Sequence, residues 1–191
     1  MNQDMVNMCI QEAKRKHSSI TPVGEILIKQ FSSATPNDLN NWVLHEEKTK
    51  GIKIGALVVD YLGELGNDQG IKMMTGFDSY MYHKTNTQTL SKNAIANGYI
   101  VITAHQDKDI TKDAFDITLN NLGESKGIAH KCDAVIGLLQ PSSSKDQGLF
   151  YMKNLKARGS KHVGKWIELS IKYENMTLAE MSEHDTDFSI F

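Results

Sequence analysis

Short apolar runs alternate with polar, helix-spaced stretches along most of the chain. Met5, Met8, Cys9 and Ala13 recur at helical spacing and predict a short amphipathic helix over residues 4–16. Ile26, Leu27, Ile28 and Phe31 read as a strand over 26–31. Thr35-Pro36-Asn37-Asp38 is a helix start: Thr35 can cap, Pro36 suits the first helical position, and Asp38 sits where a capping-box acid belongs. Leu39, Trp42 and Val43 then share one face of that helix. Ile54 to Leu62 is almost continuously apolar and β-branched, which suits a strand covered on both faces. A helix follows from Asp78 to Ala96, closed by Asn97-Gly98, and Tyr99 to Thr103 form the next buried strand.

The polar stretch from His105 to Asn121 is long for a loop inside a compact domain, and such loops are more often functional or mobile than idle. Asp133 to Leu139 is another apolar strand, followed by a Ser-rich turn over Pro141 to Gln147. Leu149 to Leu155 and the alternating run Lys165 to Tyr173 read as an antiparallel hairpin. Its connection, Lys156 to Gly164, is rich in Lys, Arg and Gly, and an acidic tail follows Glu174. There is no internal repeat and no dividing linker. The order predicts an α/β fold: a mostly parallel twisted sheet flanked by helices and ending in an antiparallel hairpin. Ligands of such sheets bind at the carboxyl ends of the strands. Asp60, Gln106, Glu124-Ser125 and Lys156/Arg158 are all expected at or just beyond strand ends.

Composition narrows the picture modestly. The 191 residues suffice for one domain with a core, and the formal net charge of −2 does not advertise a nucleic-acid binder. Any DNA contact must be local. Cys9 and Cys132 are isolated, which argues against a disulfide framework or zinc knuckle and for a reducing compartment. No apolar run approaches the ~18 residues of a membrane span, and residues 1–9 lack a basic-then-apolar leader. A cytoplasmic protein is expected, or one in a host cytoplasm if it is viral.

Four stretches carry candidate chemistry. In Ala56-Leu57-Val58-Val59-Asp60-Tyr61-Leu62, an acid ends a buried strand, where it can hold Mg²⁺ beside a nucleotide phosphate. Taken alone, such an acid is more often a turn cap. In Ile100-Val101-Ile102-Thr103-Ala104-His105-Gln106, Gln106 is placed to sense a γ-phosphate or simply to begin a loop. The third stretch is Leu122-Gly123-Glu124-Ser125-Lys126-Gly127-Ile128-Ala129-His130-Lys131-Cys132-Asp133-Ala134-Val135-Ile136-Gly137-Leu138. The fourth is Met152-Lys153-Asn154-Leu155-Lys156-Ala157-Arg158-Gly159, in which Lys156 and Arg158 by themselves read as an ordinary solvated hairpin loop.

Together, in this order and spacing, they resemble the RecA-like core of DnaB-family replicative helicases, the tailed-phage branch above all. "VVDYL" looks like that family's Walker B strand and "ITAHQ" like its strand ending in Gln. "ESKGIAHKCDAVIGL" is similar to its E-S-x-x-I-x-x-x-A-D-x-x segment, and "KARG" to its K-x-R-x-G. "ILIKQFSSATPNDLNNWV" resembles the strand, turn and helix ahead of Walker B. The resemblance covers residues 26–173, within a partial core over 1–175 and ahead of a tail over 176–191. It implies ATP and Mg²⁺ as cofactors, with Asp60 organising the metal and Gln106 coupling nucleotide state to the next loop. It implies that Lys156 and Arg158 reach the γ-phosphate in a neighbouring subunit's site, as arginine fingers do. It further implies a hexameric ring around single-stranded DNA, with Lys108 and Lys112 near the channel, and a primase as a possible partner. The four acids between Asp107 and Asp116 weigh against DNA binding by that loop.

One part is missing. No G-x-x-x-x-G-K-[ST] occurs in the sequence, so the phosphate-cradling amides and their Lys are absent. In the family that loop lies upstream of the matched part. The expectation is a core truncated on its N-terminal side and inactive alone: it has a complementary N-terminal helicase polypeptide, is a truncated gene or split product, or aggregates through its exposed edge. Three other readings compete. They are a non-enzymatic helicase-like subunit that binds DNA or joins a ring, a RecA-like recombinase fragment, and a His/Asp metal hydrolase prompted by the seven histidines.

Overall fold

A computed structural model describes residues 24–105, 116–121, 126–174 and 177–181. The helix expected over 4–16, Gln106, Lys108, Lys112 and Glu124-Ser125 lie outside the described residues. Residues 1–32 and 33–191 form two compact units. In the first, residues 26–31 form no strand, contrary to the sequence expectation. A strand exists only by pairing, and Ile26 and Ile28 are exposed with no ladder.

The second unit opens with helix α1 (Pro36–Lys50). Its start is as the sequence predicts: Thr35 accepts from the Asp38 amide, and Asp38 accepts from the Thr35 amide at 2.9 Å. Leu39 and Val43 are buried. Gly51 closes the helix in the left-handed conformation. Strand β1 (Ala56–Val59) then pairs parallel with β2 (Ile100–Thr103), and helix α2 (Gly76–Asn97) makes the crossover. Thr75 caps α2 through the Asp78 amide, and Gly98 ends it. Helix α2 packs against α1 and β2.

Leu57 and Val59 face this core. Their neighbours on the other face do not: Val58 is 67 % exposed, Ile100 61 % and Ile102 52 %. The expectation of strands covered on both faces therefore fails among the described residues, because the helices packed here lie on one side only.

Helix α3 (Lys126–Lys131) packs on α2 and leads into β3 (Ala134–Leu139). Pro141 starts one helical turn, α4 (Ser142–Lys145), where the sequence suggests a plain turn. Strands β4 (Leu149–Ala157), β5 (Trp166–Lys172) and β6 (Thr177–Glu180) complete an antiparallel sheet in the order β3-β4-β5-β6. The β4–β5 hairpin is as expected. The mostly parallel sheet is not. One described pairing is parallel, and β3 runs antiparallel to β4. An apolar run fits either direction, so its composition could not decide.

Candidate functional site

The parallel pair brings two predicted site segments to one end. The Ala104 amide donates to Val59 O at 3.2 Å, and the Leu62 amide donates to Ala104 O at 3.0 Å. Thr103 Oγ1 also donates to Val59 O. Asp60 and His105, the residue before Gln106, thus leave neighbouring strands side by side. Asp60 is exposed. It makes no hydrogen bond or ion pair among the described residues.

The turn after Asp60 is fixed from below. Leu62 is fully buried. The Tyr82 hydroxyl donates to Leu65 O in a short contact, and Asn86 Nδ2 donates to Gly66 O at 3.0 Å. The Gly66 amide donates to Ala34 O at 2.7 Å. Tyr61 points its hydroxyl at Glu64 (2.6 Å), and that carboxylate pushes the phenol up. Asp60 therefore rides on a rigid corner although its own carboxylate is open to solvent.

Two histidines lie behind this corner. The His83 ring on α2 stands edge-on to His105, with centroids 5.5 Å apart. His83 is buried and its Nδ1 has no hydrogen-bond partner among the described residues. Burial, then the neighbouring His105, holds its pKa below the ordinary imidazole value. No sequence signal marks this pair, because the two residues are far apart along the chain.

Lys156 and Arg158 meet at a different corner. Lys156 stands within β4 rather than in the connection where the sequence placed it. Val135 pairs with Lys156 but Ile136 pairs with Asn154, so Leu155 is the extra residue of a β-bulge. An extra residue reverses the facing of everything beyond it. Lys156 Nζ donates to Ala129 O of α3 at 2.6 Å. Arg158 pairs through Nη1 with Asp133 Oδ1 at 2.9 Å, and its amide donates to Asp133 O at 2.9 Å. Among the described residues nothing joins Asp60 to either cation.

The described end of the polar loop is anchored, not free. Asp116 pairs closely with Lys153, which also lies 4.9 Å over the Trp166 ring. The Lys153 hydrogen bond holds the Asp116 carboxyl below its ordinary range. This acid is thereby occupied within the chain.

An open carboxylate at a strand end fits a hydrated divalent cation. A phosphate cradle is not found among the described residues. Of the glycines with positive φ, Gly51 and Gly98 end helices, and none of Gly70, Gly148, Gly159 and Gly164 directly precedes one. Nor do three or more His, Cys, Asp or Glu side chains converge there as a metal cluster, so the metal-hydrolase reading gains no donor set. No described helix is long and apolar enough to cross a membrane.

No family model matches the chain, and no curated protein matches it by sequence. Solved structures do. A DnaB-like replicative helicase, described with its interactions with primase, superposes with a TM-score of 0.68 at 12 % identity, over 95 % of this chain and 43 % of that one. The ATPase domain of a second helicase superposes with a TM-score of 0.65 at 14 % identity, over 89 % of this chain and 65 % of that one. The chain spans less than two thirds of either. In fold, the chain is similar to part of a DnaB-like replicative helicase and to a helicase ATPase domain.

Proposed function

We propose that the chain is one part of an ATP-driven ring helicase that moves on single-stranded DNA. It supplies the metal-organising acid of one ATP site and the trans-acting cations of the next. The observation that carries this reading is the open Asp60 carboxylate at the carboxyl end of the parallel β1–β2 pair. That is where an α/β sheet binds a nucleotide. Asp60 would hold Mg²⁺, and Gln106 would couple nucleotide state to the loop that follows it. Lys156 and Arg158 would meet the γ-phosphate of the adjoining subunit and offset charge in the phosphoryl-transfer transition state. DNA-channel contacts by Lys108 and Lys112 and an association with a primase belong to the same proposal.

The phosphate cradle must come from a P-loop-bearing segment outside these 191 residues. The open β1–β2 face suits the docking of such a segment. The test is reconstitution. The chain alone is expected to hydrolyse no ATP. Joined to the P-loop-bearing segment of a DnaB-like helicase, it should gain DNA-stimulated ATPase activity. Asp60→Asn should abolish that activity, and Arg158→Ala should lower kcat on the order of 10³-fold or more. An Asp60→Asn assembly as active as the parent would sink the reading.

The missing P-loop motif also favours a second reading, a non-enzymatic ring subunit that contributes only Lys156 and Arg158. In that case the chain would stimulate intact helicase subunits, and Asp60→Asn would not matter.

A further inference from the structure

Asp133 holds Arg158 at two points that differ in kind. Its backbone carbonyl accepts from the Arg158 amide, and its side chain pairs with Nη1, both at 2.9 Å. Ala134 pairs with Ala157, so Asp133 and Arg158 continue the β3–β4 register by one residue. The same α3–β3 corner offers Ala129 O to Lys156 Nζ. One short stretch, residues 129–133, therefore fixes both cations, and the bulge at Leu155 sets the facing of Lys156 towards it.

The side-chain pair is exposed, at 62 % for Arg158 and 79 % for Asp133. An exposed pair adds little to stability. Its consequence is geometric. A guanidinium carries five N–H donors in a planar fork, and Asp133 engages one nitrogen. Among the described residues the remaining donors meet no acid, and the side chain is 62 % exposed. A phosphate can therefore bind the far side of the fork while Asp133 keeps hold of the near side.

We infer that Asp133 is a positioning residue for Arg158, orienting its guanidinium towards a phosphate group supplied by a neighbouring chain. This rests on the reading of Arg158 as trans-acting, and it goes further in assigning the group that aims it. Positioning matters because a misplacement of about 1 Å can cost on the order of 10²-fold in rate.

The experiment is a double-mutant cycle in the P-loop-supplemented assembly. Asp133→Ala keeps the backbone hydrogen bond, so folding is expected to be intact. It should lower kcat for ATP about 10- to 100-fold with KM unchanged. Asp133→Asn, which keeps an acceptor at the same place, should restore part of the loss. In an Arg158→Ala background, Asp133→Ala should have no further effect, because nothing remains to aim. If Arg158→Ala costs activity and Asp133→Ala does not, the positioning role is wrong. Equal losses from Asp133→Ala in both backgrounds would mark a merely structural residue and overturn it as well. If Arg158→Ala itself is silent, the trans assignment fails instead.

Discussion

His83 is a buried group whose pKa is depressed. Its neutral ring suits the interior, and protonation would place a buried cation against His105. The unfolded chain takes up that proton near the ordinary value of 6.5, whereas the folded chain does so only at lower pH. Its contribution is therefore full above 6.5 and is lost as pH falls through the folded value. Urea denaturation on either side of this window should show stability falling on acidification. His83→Gln should flatten that slope. An unchanged slope would mean that His83 does not titrate with folding. Asp116 follows the same sign at lower pH. Its lowered carboxyl pKa means that its pairing with Lys153 weakens as pH falls through the folded value.

Gly127 shows how closely the elements are fitted. A Cβ there would lie 2.7 Å from Tyr80 O and 2.9 Å from Lys84 Cβ on α2. Tyr80 O is main chain inside a helix and cannot give way. Gly127→Ala is therefore expected to push α3 off α2 and to destabilise the fold by about 1–3 kcal/mol, the range for overpacking. Chemical denaturation measures the loss. Because α3 carries Ala129 O, the variant should also loosen Lys156. A variant as stable as the parent would show that the two helices are not held this tightly.

Legibility from sequence also divides by element. The Thr35 cap, the crossover helix, the β1 and β2 strands and the β4–β5 hairpin are all readable, because each has a local signature in capping residues or periodicity. The direction of β3 is not, since six apolar residues look alike in either pairing. Treating β3 as parallel hides its register with β4, and with it the meeting of Asp133 and Arg158. Strand β6 reads as tail because Thr177–Glu180 is short and exposed throughout, with no buried face to show a period. Of the candidate site, the placement of Asp60 is legible. The bracing by Tyr82 and Asn86 is not, since it depends on where α2 crosses the turn.

At the scale of the molecule, the open apolar face of β1–β2 has a direct outcome. Val58, Ile100 and Ile102 should bind a hydrophobic fluorescent dye and favour self-association of the isolated chain. Val58→Lys with Ile102→Lys should reduce both. Dye binding that the double variant leaves unchanged would place the sticky surface elsewhere. That nothing among the described residues joins Asp60 to Lys156 or Arg158 reaches further. If each catalytic centre draws its acid from one chain and its arginine from the next, a defect in either is not confined to the chain that carries it. Assemblies built from Asp60→Asn and from Arg158→Ala chains, each joined to the P-loop-bearing segment and each nearly inert, should complement one another when mixed. Some junctions would then join a sound acid to a sound arginine. The same arithmetic makes either variant poisonous to the parent protein in excess of its own share. Its presence would spoil a junction that a normal neighbour needs.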